Sequence, residues 1–229
     1  IHRELQESLR ARFDVPFLRL MSNGTLALQL AIRALGVTGK VITTPFSYVA
    51  TTSAILWEGC IPVFADINPD TFCIDPQRIE ELIDDDTTAI LATHVYGIPC
   101  DVEAIDAIAK KHGLKVIYDA AHAFDVEYKG KSILAYGDAS TLSFHATKLF
   151  HTVEGGAVIV HEQSDVDRLR LLRSFGHIGD EHYTLGINAK MSELNAAMGM
   201  AMLPYVPQLV AERGRIIERY DSHLAHQIQ

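Results

Sequence analysis

A chain of 229 residues, 48% of them hydrophobic, is long enough to bury a sizeable core as one large domain or as a domain with an appendage. Its formal net charge of -9, with no compensating Lys/Arg cluster, excludes the basic footprint that nucleic acids and acidic membranes require. Cys60, Cys73 and Cys100 are too few and too widely spaced for a disulfide framework, the longest apolar runs (88–95, 114–118) are strand-length rather than membrane-spanning, and no signal-peptide pattern occurs, so the sequence reads as soluble and cytoplasmic.

In chain order, IHRELQESLRARF (1–13) reads as a charged helix already under way at Ile1. Ser22-Asn23-Gly24-Thr25 then introduce LALQLAIRALG (26–36), with apolar residues at helical spacing and a glycine stop. From there β-rich runs alternate with helical ones. Strands are predicted at VITTP (41–45), IPVFADI (61–67), TAILATHVY (88–96), LKVIYDA (114–120), STLSFHA (140–146) and GGAVIVH (155–161). Helices are predicted at VATTSAILWEG (49–59), DPQRIEELI (75–83) and DVEAIDAIAKKHG (101–113). This alternation implies parallel strands joined by crossover helices, an α/β layered domain, and the near-continuous apolar strands imply a sheet covered on both faces. EYKGKSI (127–133) reads as a small hairpin between two sheet strands. After SDVDRLRLLRSFG (164–176) the alternation stops. His177 and His182 fall in a polar loop, and from Met191 helices run on with interruptions expected near Pro204 and Pro207. The last run, VAERGRIIERYDSHLAHQIQ (210–229), carries no stop signal, which with the abrupt start predicts a fragment.

Ligands of open parallel sheets bind beyond the carboxyl ends of the strands, and four features of the sequence fall there. Gly24 permits close backbone approach, and Thr25 with the first helical amides offers donors to an anion such as phosphate; the plainer reading is an ordinary Ser/Asn helix cap. Asp119, ending the apolar strand in VIYDAAHAF, is placed to hold a positively charged ring nitrogen or simply to cap the next turn, with His122 following closely. Lys148, past a strand end in TLSFHATKLFHTVEGGAVI, is either a surface lysine or an amine whose desolvation favours the neutral nucleophile; Ser143 on the same strand has a hydroxyl for phosphate or for the backbone. Tyr48, in TTPFSYVATTS, has a ring for stacking on a heterocycle or for core packing. Together the four meet the needs of one cofactor, pyridoxal phosphate: an amine for its aldehyde, an anion for its pyridinium, donors for its phosphate and a flat surface for its ring. No H-E-x-x-H or comparable ligand spacing organises the 11 histidines, and no metal site is predicted.

The runs NGTLALQLAIRALG, TPFSYVATTSAIL, THVYG, YDAAHAF, SFHATKLFHTVEGGA and GINAKMSELNAAMG, in this order and spacing, strongly resemble the DegT/DnrJ/EryC1/StrS family of nucleotide-sugar aminotransferases over nearly the whole chain. The resemblance implies an aspartate-aminotransferase-type (fold type I) large domain with a mostly parallel seven-stranded sheet. It also implies a homodimer whose active sites lie at the interface, and a smaller C-terminal domain that is largely absent here. Residues 1–203 would form the pyridoxal-phosphate-binding domain and 204–229 a helix leading toward the truncated one.

The same resemblance makes Lys148 the Schiff-base lysine and Asp119 the partner of the pyridine nitrogen. It places Gly24, Thr25 and Ser143 at the phosphate, Tyr48 against the ring, His122 near the cofactor and Asn188 on the phosphate of the neighbouring subunit. The implied reaction carries an amino group from L-glutamate, by way of pyridoxamine phosphate, to a keto group of a nucleoside-diphosphate-linked sugar, dTDP being the favoured nucleotide, as in amino-sugar and O-antigen biosynthesis. In the family an aromatic residue and Arg often follow the asparagine, whereas Ala189 and Lys190 stand here. A dehydratase branch carries histidine in place of the lysine, so Lys148 argues for amino transfer; His145 and His151 beside it are shape or substrate contacts at most. Sugar dehydration or β-elimination on the same fold, and a non-catalytic regulatory relative, remain the alternatives.

Overall fold

In the computed structural model, which describes residues 1–224, α1 (His2–Arg12) leads into a first strand, β1 (Phe17–Met21). Helices α2 (Gly24–Ala34) and α3 (Val49–Trp57) then alternate with β2 (Lys40–Thr43) and β3 (Ile61–Phe64). Next come α4 (Pro76–Glu80), β4 (Thr87–Thr93), α5 (Val102–His112) and β5 (Lys115–Asp119). The turn expected at EYKGKSI is a hairpin of β6 (Glu127–Tyr128) and β7 (Lys131–Ser132), with Lys129 and Gly130 both at positive φ. β8 (Ala139–Ser143), β9 (Gly156–Val160) and α6 (Gln163–Leu172) follow.

The seven-stranded sheet has the order β1-β9-β8-β5-β4-β2-β3. From β3 to β8 neighbouring strands are parallel, whereas β9 runs antiparallel to both β8 and β1. The fold is therefore the expected α/β architecture of the fold type I class, with two differences from the pattern read in the sequence. GGAVIVH returns antiparallel beside β8 without a crossover helix, because antiparallel neighbours can be joined by a simple loop. The strand β1 is absent from the predicted set: it is five residues long, carries Arg19 at its centre and sits at the sheet edge, where pairing on one side suffices.

Burial on both faces accounts for the apolar strands. In β4, Ala89 and Leu91 pack with residues of α2, α3 and α6, while Ile90 and Ala92 pack with those of α1, α4 and α5. β9 repeats the pattern, with Val158 and Val160 on the first side and Ala157 and Ile159 on the second. His177 and His182 pair across a short hairpin, β10 (His177–Ile178) with β11 (Glu181–His182), rather than lying in a loop; two-residue strands leave no alternation to detect. The chain ends in α7 (Glu193–Met202) and α8 (Val206–Leu224). The expected interruption falls at Pro204, in a 3-10 turn, while Pro207 occupies the first turn of α8, where it removes no helical hydrogen bond. Residues 225–229 of the helical run predicted at 210–229 lie outside the described residues. Among the described residues no helix is long and apolar enough to cross a membrane.

Immediately after β4, His94 is completely buried. It stacks on Tyr118 at 4.7 Å, and its Nδ1 accepts the Cys100 amide at 3.0 Å, which puts the neutral ring's proton on Nε2. Burial lowers its pKa from 6.5 to about 3. Between those values the unfolded chain binds a proton that the folded chain refuses, so this residue's contribution to stability is present above 6.5 and is lost as pH falls toward 3. Denaturant midpoints are expected to be lower in mild acid than at neutrality, and His94→Gln is expected to narrow the difference. An undiminished difference in the variant would locate the acid sensitivity elsewhere.

Candidate active site

Four neighbouring strands that run the same way, β2, β4, β5 and β8, end at Thr43, Thr93, Asp119 and Ser143, so the polar residues at their carboxyl ends collect at one end of the sheet. A cavity of about 600 Å³ opens there. Seven of the eight residues singled out in the sequence line it: Gly24, Thr25, Tyr48, Asp119, His122, Ser143 and Lys148. The eighth, Asn188, lies outside it on an exposed segment, where its Oδ1 accepts from Lys190 Nζ at 2.8 Å. His145 lines the cavity and approaches Glu154 at 3.6 Å; His151 does not line it.

At the α2 start the cap reading holds. Asn23 is the cap, extended in backbone and accepting the Leu26 amide on Oδ1 at 2.8 Å. The first-turn amides of Gly24 and Thr25 have no acceptor within the helix and belong to residues of the cavity wall. Gly24 is required for close approach to the neighbouring strand: a Cβ there would lie 2.8 Å from Ser143 Cβ and 3.3 Å from its Cα. Gly24→Ala must therefore push the helix start away from β8. The expected outcome is a stability loss of about 1–3 kcal/mol, with a greater fractional loss of pyridoxal phosphate affinity than any other residue of α2 causes when changed to alanine. Denaturation and fluorescence titration together would check it.

Asp119 is 6% exposed. Its Oδ2 accepts from Thr51 Oγ1 at 2.8 Å and its Oδ1 from the Ala121 amide at 3.1 Å. Burial pushes its carboxyl pKa up, opposed by these two hydrogen bonds and then by the charges of His122 and Lys148. Lys148 is half-buried in the loop between β8 and β9, its amide tied back to His145 O at 2.9 Å. His122 is lowered in pKa by burial and by the Lys148 charge, against the pull of Asp119, so the three side chains share one electrostatic field. Its Nδ1 accepts the Tyr96 amide at 3.3 Å. Tyr48 is 76% exposed, which rules out the core-packing reading of its ring.

The sequence reading passes over Ser47, Thr93, Thr147 and Glu154, which also line the cavity, and Thr51, which binds Asp119. Thr51 had one available signal: it lies three residues beyond Tyr48, in the first turn of α3.

The sequence profile of the DegT/DnrJ/EryC1/StrS aminotransferase family matches residues 2–228. The chain belongs to that family. A dTDP-4-amino-4,6-dideoxy-D-glucose transaminase of Shigella dysenteriae is 48% identical over 217 residues, covering 94% of this chain and 59% of that protein. The solved structure of DesI in the presence of its TDP-sugar product has a TM-score of 0.93 at 38% identity, covering 97% of this chain and 57% of that one. Spr1654 of Streptococcus pneumoniae, solved in its PLP form, has a TM-score of 0.91 at 29% identity and covers 98% of this chain and 64% of its own. The chain thus spans 59% of the curated relative's length and 57% of DesI's. Pyridoxal phosphate is the cofactor of DegT/DnrJ/EryC1/StrS aminotransferases.

Proposed function

We propose that this chain is the cofactor-binding part of an aminotransferase that moves an amino group, with L-glutamate as donor, to a keto group of a nucleoside-diphosphate sugar. The observation that carries the reading is that Lys148 and Asp119 line one cavity at the carboxyl end of the parallel strands. The cavity fits pyridoxal phosphate: its volume suits a small cofactor, a buried carboxylate stands ready for a cation, and unpartnered helix-start amides stand ready for a phosphate. When bound, pyridoxal phosphate supplies an aldehyde that joins covalently to amines and a ring that draws electron density from the adjoining carbon.

Lys148 would hold the cofactor through Nζ. Once released by an incoming amine, that nitrogen would take the proton from the donor's α-carbon and deliver it to the carbon that had carried the cofactor's aldehyde, on the far side of the shared nitrogen. Asp119 would hold a proton on the ring nitrogen by pairing with it. Gly24, Thr25 and Ser143 would bind the phosphate, Tyr48 would cover the ring, and His122 would stand beside it. The second half of the reaction runs the same proton movement backward on the keto sugar.

A homodimer that shares its sites belongs to this reading, with Asn188 serving the partner's phosphate. Its support is an apolar edge strand, β3, unpaired on its outer side, with Phe64 exposed within it and Leu56 and Trp57 exposed at the end of α3, and an exposed Tyr183, Leu185 and Ile187 beside Asn188. The further parts of the reading are a dTDP-linked substrate, a role in amino-sugar biosynthesis, a cytoplasmic location, and a division at residue 203 with α8 leading toward a second domain. Absorbance spectra of the purified chain with pyridoxal phosphate, before and after glutamate, test it. The expected result is a yellow complex bleached by glutamate to the amine form, and a chain that never colours would overturn the reading.

A further inference from the structure

A chain of hydroxyls lies behind Asp119. Thr51 is fully buried in the first turn of α3 and its Oγ1 donates to Asp119 Oδ2 at 2.8 Å. Ser47 Oγ stands 2.6 Å from Thr51 Oγ1 and 3.2 Å from Thr93 Oγ1. Each hydroxyl owns one hydrogen. With the Thr51 hydrogen directed at Asp119, Ser47 must donate to Thr51, and Thr93 to Ser47. Three O–H dipoles then align head to tail, positive ends toward the carboxylate, each strengthening the next. The first turn of α3 adds the positive end of a helix dipole on the same side.

Ala121 and Thr51 occupy one acceptor site on each carboxylate oxygen, which fixes the rotation of the group and leaves the remaining lone pairs free. We propose that Thr51, backed by Ser47 and Thr93, is a positioning residue that holds Asp119 as an oriented anion, its open lone pairs turned to receive a protonated ring nitrogen. This inference rests on the cofactor reading above. The direction of the relay depends on the charge of Asp119: a protonated Oδ2 would itself need an acceptor, and the Thr51 hydrogen would have to turn away. Burial alone favours that protonated form, and the Thr51 hydrogen bond is the leading effect against it.

Thr51→Val keeps the branched shape and removes the hydroxyl, and Thr51→Ser restores the hydroxyl without the methyl. Carbon NMR of the Asp119 carboxyl in the cofactor-free chain, and titration with pyridoxal phosphate followed by fluorescence, give two readouts independent of turnover. Thr51→Val is expected to move the Asp119 titration to higher pH and to weaken cofactor binding by about tenfold or more, the usual scale for a hydrogen bond to a charged group. Thr51→Ser is expected to recover both. Unchanged values in Thr51→Val, or a serine variant as impaired as the valine one, overturn the proposal. If Thr51→Val does not fold, Ser47→Ala, outside the core, is expected to shift both readouts in the same direction; no shift there overturns the relay equally. Borohydride reduction of the wild-type chain with pyridoxal phosphate separates the two levels. No adduct on Lys148 overturns the cofactor reading, whereas an adduct accompanied by an unaltered Thr51→Val overturns the relay alone.

Discussion

Lys148→Ala is expected to leave a folded protein that retains no cofactor after borohydride treatment and transfers amino groups at least about 10⁴-fold more slowly. Among the described residues Lys148 is the one lysine that lines the cavity; the histidines there, His122 and His145, cannot take its place in a covalent attachment to an aldehyde. The substitution removes attachment and proton transfer together, because both proposed tasks fall to the same nitrogen. It should do so without unfolding the chain, since Lys148 is half-buried in a loop and contributes nothing to either apolar cluster. Peptide mapping of the reduced complex checks the assignment: wild type is expected to carry the pyridoxyl mass on the peptide containing Lys148, and the variant nowhere. The same mass on another lysine of the variant would remove Lys148 from its proposed role.

The layered fold was legible because its sheet is covered on both sides. Residues such as Ala89, Ile90, Leu91 and Ala92 face opposite clusters in turn, so the strand is apolar throughout and contrasts sharply with the amphipathic helices around it. Where one side is open or pairing is brief, that contrast fails. FLRLM lies at an edge and tolerates Arg19, and the hairpin holding His177 and His182 is too short to show a period. Direction was also invisible at β9, since a strand's composition does not encode whether it enters the sheet by a helix or by a loop.

For the site, legibility followed chemical rarity. A carboxylate closing an apolar strand and a lysine after another are costly enough to stand out, and Asp119 and Lys148 line the same cavity. Ser47 and Thr93 line that cavity too and Thr51 binds Asp119, but hydroxyls are at home in turns, caps and cores alike, so nothing in the sequence separates the three from other threonines and serines. Only the spatial meeting of a helix start with two strand ends makes them a network. Asn188 is a different case. It lies outside this chain's cavity, and the role proposed for it toward a neighbouring subunit is a relation that no single-chain periodicity carries.

Asp119→Asn should separate stability from activity in opposite directions. Asparagine keeps the size of the side chain and an oxygen for one of its present donors, Thr51 or the Ala121 amide, so the cavity should persist. What disappears is the charge proposed to face the ring nitrogen. Loss of one member of a buried ion pair costs about 3–5 kcal/mol, which predicts a rate lower by roughly 10²- to 10⁴-fold. In the cofactor-free chain the same change removes a carboxylate that burial disfavours. Because the folded pKa of Asp119 lies above its ordinary 3.8, the folded state is penalised once pH exceeds that value, and the penalty is absent in acid where both states are protonated. The cofactor-free variant is therefore expected to be at least as stable as wild type at neutral pH, with any advantage vanishing at low pH, while its cofactor complex is weaker. A variant that loses stability and activity together would instead mark Asp119 as a structural anchor of the β5 end, and one with an unaltered rate would leave the ring nitrogen without its proposed partner.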